Sequence, residues 1–527
     1  MKSTLKFFQG EVMPARNVIL SLLAVSTLLF LAGCGSSSPK ATAPPSGGFS
    51  NSSLNGTYVF STTGSDSSST PATIAIAGTL VADGSGGITG GTIDVVDPNI
   101  AQTSPVAQSI GSGTYTVTAD GRGQISLGSV KLDFVLSSTS HGLVTEFDGN
   151  GSGSGTIDLQ ASTTQAQLAG SYAFSLGGLD SSLNPTATVG SFTLDGSGNL
   201  TAGVQDFNDD GFPYLALPIL ASTATAPSGT GPGSITLSTT TLGTYTFDYY
   251  PVDTTHLKLI ETDYNQFLAG DAFTQTGASI PTGAMVFTLS GLDSSGPIAA
   301  GGLFTSDGTG NFTGGLEDVN NDGSLSPAQL AFTGASAAGG TVGGRVIVNL
   351  SGFTPAIQYA IYPITGGILM IETDSLAITT GSAYAQTSTA LQASQGYGLN
   401  LSADNISGGY EEDDIAEFQT TSSTFSGLLD INDEGTTTFD KTLTGSYTPD
   451  SPATGRGSAT TTNYFNFEYY TVSDSTALIL ESDSTQIGVG TLALQTAPNS
   501  SSGVAHPVPL VHPAVRAHAA LHSSKRK

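Results

Sequence analysis

One cysteine, no tryptophan and 14 basic residues in a chain of 527 set the first limits on what this protein can be. A lone thiol cannot close a disulfide within a monomer, so no covalent staple holds any domain together. The disulfide and tryptophan of an immunoglobulin core are both missing. Charged residues make up 11 % of the chain, too few for a coiled coil. Between positions 50 and 497 the only basic residues are Arg122, Lys131, Lys258, Arg345, Lys441 and Arg456, facing 41 acidic ones. A surface of that sign repels phosphates and offers no basic footprint for counterion release, which excludes nucleic acid as a partner. It suits solubility outside the cell, or divalent cations. Glycine and proline together stay below the roughly 25–30 % that marks low-complexity chains. Serine, threonine and glycine beside Val, Ile, Phe and Tyr favour short strands and turns.

No apolar run is long enough to span a bilayer. Val18 to Phe30 is broken by Ser21, Ser26 and Thr27, follows Lys2, Lys6 and Arg16, and ends in Leu31-Ala32-Gly33-Cys34. This is a secretion signal rather than a spanning helix. The tetrapeptide resembles the lipobox of bacterial lipoproteins. The resemblance implies a signal peptide over 1–33 and a diacylglycerol on Cys34, with palmitate-type acyl chains anchoring the protein to a membrane. Translation starts at Met1 or Met13. Gly35 after the cysteine favours the outer membrane or cell surface, and residues 34–53 read as a flexible tether.

Three markers recur with a common period, which makes internal repetition the decisive signal. The opening marker is Gly56-Thr57-Tyr58, Gly170-Ser171-Tyr172, Gly283-Ala284-Met285 and, more loosely, Gly396-Tyr397. A Glu-x-Asp follows at Glu146/Asp148, Glu261/Asp263, Glu372/Asp374 and Glu481/Asp483. A glutamine closes each copy at Gln160, Gln275, Gln386 and Gln495. The spacing defines four units of about 110 residues, over 54–160, 168–275, 281–386 and 394–495, with a basic, histidine-containing tail over 496–527 expected to be disordered. The second unit reads as eight strands, 170–176, 187–195, 199–206, 214–221, 233–239, 242–251, 255–262 and 268–275, without a helical period. The fold class is all-β: four tandem antiparallel up-and-down β-barrel-like units, with β-sandwiches as the alternative. The opening Gly-x-Tyr resembles the Gly-x-aromatic of lipocalin- and avidin-like barrels. The whole chain resembles uncharacterised bacterial tandem-repeat lipoproteins.

Two carboxylate motifs are candidate sites. Asp206/Asn208/Asp210 and Asp318/Asn320/Asp322, each followed by glycine, space oxygen ligands as the opening half of a calcium loop does; Asp430/Asn432/Glu434 is a variant, and the first unit keeps only Asp94 and Asp97. Over six residues they resemble dockerin and thrombospondin type 3 loops, which implies calcium. The twelfth position carries Leu217, Gln329 or Lys441 instead of an acid, so an Asx-rich turn is the competing reading. Glu-x-Asp on a strand puts both carboxylates on one face about 7 Å apart, like a glycosidase pair, although fourfold repetition argues for a rim or turn-capping role. Tyr245, Tyr249, Tyr250, Tyr359, Tyr362, Tyr464, Tyr469 and Tyr470 line a ligand surface or fill cores. No catalytic triad or phosphate loop is apparent. The expected function is a surface lipoprotein presenting repeated modules for structural, adhesive or ligand-binding roles, with a polysaccharide or another envelope component as partner. A carbohydrate-active or other hydrolytic protein and a calcium-stiffened spacer are the alternatives.

Overall fold

The computed structural model describes residues 48–68, 70–100, 107–161, 164–326, 329–337 and 342–496. Cys34, the signal segment, most of the expected tether and nearly all of the tail lie outside them. The last residues of the expected tether belong to the first barrel. Phe49 is buried in its core and its amide donates to the Ala119 carbonyl, because an aromatic side chain gains more from burial than from solvent.

Each unit is a meander of antiparallel strands, as the turn chemistry requires. The eight long strands of the second unit are Gly170–Asp180, Pro185–Leu194, Asn199–Asp209, Phe212–Ile219, Gly233–Thr239, Gly243–Pro251, His256–Glu261 and Gln266–Thr274, and a two-residue strand, Ser222–Thr223, pairs with the third. The first, third and fourth units close into eight-stranded barrels. The second stays open between Phe212–Ile219 and Gly233–Thr239, where no strand ladder forms. Pro213 and Pro218 explain the gap: neither has an N–H to donate, so this strand is confined to an edge. A bond from the Leu220 amide to the Ser238 carbonyl and a bridge between Thr225 and Ser234 span it instead.

Strand alternation sends one face into the lumen and the other toward a neighbouring barrel. Tyr249 packs inside the second barrel with Phe174, Phe192 and Phe247, whereas Tyr250, the next residue, packs outward against Val59, Ala75 and Ala77 of the first. The four lumens hold four separate apolar clusters. A fifth and larger cluster lies between barrels and draws residues from all four.

The barrels join head to tail into a closed ring. The early strands of each pack on the late strands of the next, and the early strands Gly396–Asn405 and Tyr410–Thr420 of the fourth pack on Val130–Leu136, His141–Glu146 and Gly151–Leu159 of the first. The closing glutamines are joint residues. Gln160 Nε2 donates to the Pro251 carbonyl, Gln275 to Gly343, Gln386 to Thr454 and Thr471, and Gln495 back to Asp120 and Leu136. Each side-chain amide thus satisfies backbone carbonyls that the joint would otherwise desolvate.

Candidate functional site

The Asp-x-Asn-x-Asp-Gly motif runs along a strand into a tight hairpin. Asp206 and Asn208 lie in Asn199–Asp209, while Asp210 and Gly211 have φ of 50° and 83°, the doubly positive pair of a type I′ turn. Asp322-Gly323 and Glu434-Gly435 repeat it with φ of 48° and 77°, and 47° and 83°. The first aspartate of each motif faces the next barrel. Asp206 is fully buried and takes a bidentate bond from Arg345, at 2.5 and 2.6 Å, and a third from the Tyr362 hydroxyl at 2.6 Å. Asp318 receives Arg456 at 2.7 and 2.9 Å and Tyr470 at 2.7 Å. Asp430 receives Arg122 at 2.9 Å, closing the ring. The amide nitrogens of the motif asparagines are held too: Asn208 Nδ2 donates to the Ala377 carbonyl, Asn320 to Glu481, Asp483 and Gln486, and Asn432 to Glu146 and Gly151, while Asn208 Oδ1 and Asn320 Oδ1 have no partner among the described residues. The first aspartate and the asparagine of each motif are thus tied to the next barrel. Among the described residues no group of three or more His, Cys, Asp or Glu is placed to hold a metal ion.

The joint between the first and second barrels is built differently. No arginine stands at Pro232-Gly233, the matching place in the second unit, and Asp94 receives the Tyr250 hydroxyl at 2.5 Å. Burial and the adjacent Asp94 push Asp248 up to about 7. The positive charge comes from Lys258 Nζ, 3.5 Å from Asp158 and 3.6 Å from Asp271. His141 and His256 each bond one of these aspartates at 2.6 Å. Both carboxyls are held below the usual carboxylate range; their burial acts the other way and is outweighed by these cationic and hydrogen-bonding neighbours.

The two carboxyls of Glu-x-Asp have separate roles. The strands end at the glutamates, and the aspartates sit in the following turns, where each caps backbone N–H groups: Asp148 those of Lys131 and Asn150, Asp263 those of Thr246 and Asn265, Asp374 those of Gln358 and Leu376, Asp483 those of Asn466 and Thr485. The glutamates are buried acids. Burial pushes Glu261 up to about 9 and Glu372 to about 8, and raises Glu146 and Glu481 well above the ordinary range. Glu372 receives a bond from the Thr379 hydroxyl, whereas Glu146 Oε2 has no hydrogen-bond partner among the described residues.

Of the tyrosines, Tyr245, Tyr249, Tyr359 and Tyr469 fill lumens, Tyr464 packs against one, and Tyr250, Tyr362 and Tyr470 serve the joints.

The lumens differ at their mouths. In the third barrel Phe287, Phe304, Phe312, Phe332 and Phe353 make successive ring contacts and leave only about 30 Å³. The first barrel opens into a cavity of about 760 Å³. Ile74, Ile76, Ile93, Val95, Leu127 and Val130 form its apolar wall, and Asp66, Asp97, Glu146 and Asp148 its acidic side. Asp66 is occupied, accepting from the Ser68 and Ala72 amides, the Ser68 hydroxyl and Asn99 Nδ2. Asp97 accepts from the Asn99 amide, and burial, with the Asp66 charge adding to it, pushes Asp97 up to about 6.

No known protein family and no curated protein matches the chain. Solved structures similar to it include an isotype 1 transferrin binding protein B from serogroup B Neisseria meningitidis, at 9 % identity, covering 67 % of this chain and 84 % of that one, with a TM-score of 0.20. Kievitone hydratase from Nectria haematococca follows at 11 % identity, 63 % and 90 % coverage and a TM-score of 0.17. A transferrin binding protein B mutant from Haemophilus parasuis stands at 8 %, 68 % and 83 %, with 0.18. Scores this low carry neither activity nor ligand over to this chain.

Proposed function

We propose that this is an exported lipoprotein, held at the outer membrane or cell surface through Cys34, whose ring of barrels is a rigid frame for one ligand-binding mouth in the first barrel. The observation that carries the reading is the cavity. Its 760 Å³ falls within the roughly 300–1,000 Å³ of small-molecule sites, and it sets an aliphatic wall opposite a polar, acidic side. The soluble, acidic exterior suits exposure outside the cell, and an envelope polysaccharide or another surface component suits the outer faces.

Titration with the neutral fluorophore N-phenyl-1-naphthylamine tests the binding reading. One saturable site per chain, abolished by the cavity-filling variant Ile93→Trp, is expected. Absence of saturable binding to the folded protein would end the proposal.

Convergence of acids at this mouth also favours a hydrolytic reading, with neutral Glu146 as proton donor. Asp66, Asp97 and Asp148 all hold backbone amides, and Asp97, pushed up to about 6, is the base this reading requires. Release of reducing sugar from a polysaccharide, lost in Glu146→Gln, would decide for that second reading.

A further inference from the structure

We infer that the mouth of the first barrel takes a cationic amphiphile, a ligand with an apolar body against Ile74, Ile76, Ile93 and Val95 and an ammonium or guanidinium head at Glu146 and Asp97. The inference rests on the binding reading above and adds the chemical class of the ligand.

Three observations meet here. One side of the cavity is aliphatic, which gives an apolar body a surface to pack on, while the other side is polar and acidic. Glu146 lines the cavity, is 1 % exposed, and keeps Oε2 without a partner among the described residues, so an acceptor is in place with no donor from them. The groups facing Glu146 are Asp148 from its own turn, Asp66 and Asp97 from the first barrel and Asp413 from the fourth, all acidic; Lys131, whose amide holds Asp148, is exposed. A donor that carries positive charge satisfies Oε2 and the surrounding field together, whereas an anion meets only repulsion.

The raised Glu146 and Asp97 add a signature. Both carboxyls hold protons more tightly than free acids, and a bound cation stabilises the ionised form. Binding therefore expels a proton into the buffer, and affinity rises with pH until the amine itself deprotonates.

The experiment is displacement of N-phenyl-1-naphthylamine from the full-length protein by decylamine, decanol and decanoate at pH 7.5. Decylamine should compete at least about tenfold better than decanoate, a difference of about 1.4 kcal/mol. Glu146→Gln should bring the two within about threefold while decanol is unchanged, and Asp97→Asn should shift the ratio the same way should the first variant fail to fold. Calorimetry of decylamine binding in buffers of different ionisation enthalpy should report proton release. Equal competition by all three chains would overturn the cationic head and leave the binding site standing. A decylamine preference that survives both variants would trace it to the net charge of −28 and also overturn the inference. Failure of the fluorophore to bind at all would remove the site itself.

Discussion

Arg345 is 4 % exposed and Asp206 fully buried, so their bidentate pair carries two charges out of water. Removing one partner of such a pair costs about 3–5 kcal/mol, because the other stays buried without compensation. Arg345→Met should lower stability by that amount in urea unfolding, and adding Asp206→Leu should recover most of it. Lys258→Met should behave alike, since Lys258 is 1 % exposed and balances both Asp158 and Asp271. Arg122 shares its charge among three aspartates: Asp120 and Asp430 are mostly buried, and the exposed pair with Asp440 adds about 0–1 kcal/mol.

At the level of the strand and hairpin, the Asp-Gly turns take their geometry from positive φ, and the strand aspartates that precede them, Asp206 and Asp318, are held by arginine. Thermal unfolding should give the same Tm in EDTA and in millimolar calcium chloride; a rise of several degrees with calcium would show an ion completing these turns. All eight strands of the second unit were legible from alternation and turn residues, since period-two patterning is a local property. The partners of the repeated polar residues were not. Asp206 and Arg345 are 139 positions apart, and in a sequence each reads as an isolated charge. The available signal was that Arg345 and Arg456 recur at the period of the aspartates, which places complementary charges on successive units. The cavity left no such trace, because its lining is gathered from strands and turns spread between Asp66 and Asn150.

For the molecule as a whole, the buried acids set the pH response. Glu261 and Glu372 are neutral in the fold up to about 9 and 8, while unfolded glutamate ionises near 4.5. Their contribution is fully present below the unfolded value and is lost as pH rises toward the folded ones. Self-repulsion among the surface carboxylates, which grows as they ionise, acts in the same direction. Tm should therefore be higher at pH 5 than at pH 8.5, and Glu261→Gln with Glu372→Gln should flatten the difference. Ring closure has its own test. Deleting 394–495 removes Asp430 and Gln495 and bares two complementary faces that no longer meet within one chain. Faces of that kind join successive molecules, so light scattering should show concentration-dependent oligomers where the intact chain is monodisperse.

The Phe49 amide bonds Ala119, and the Gln495 side chain bonds the adjacent Asp120. Both ends of the folded body thus emerge at a single corner. Splicing them with a short linker and cutting the chain between any two other barrels should yield a circular permutant of unchanged architecture. Reporter domains fused to either end would stand side by side, within energy-transfer distance of each other.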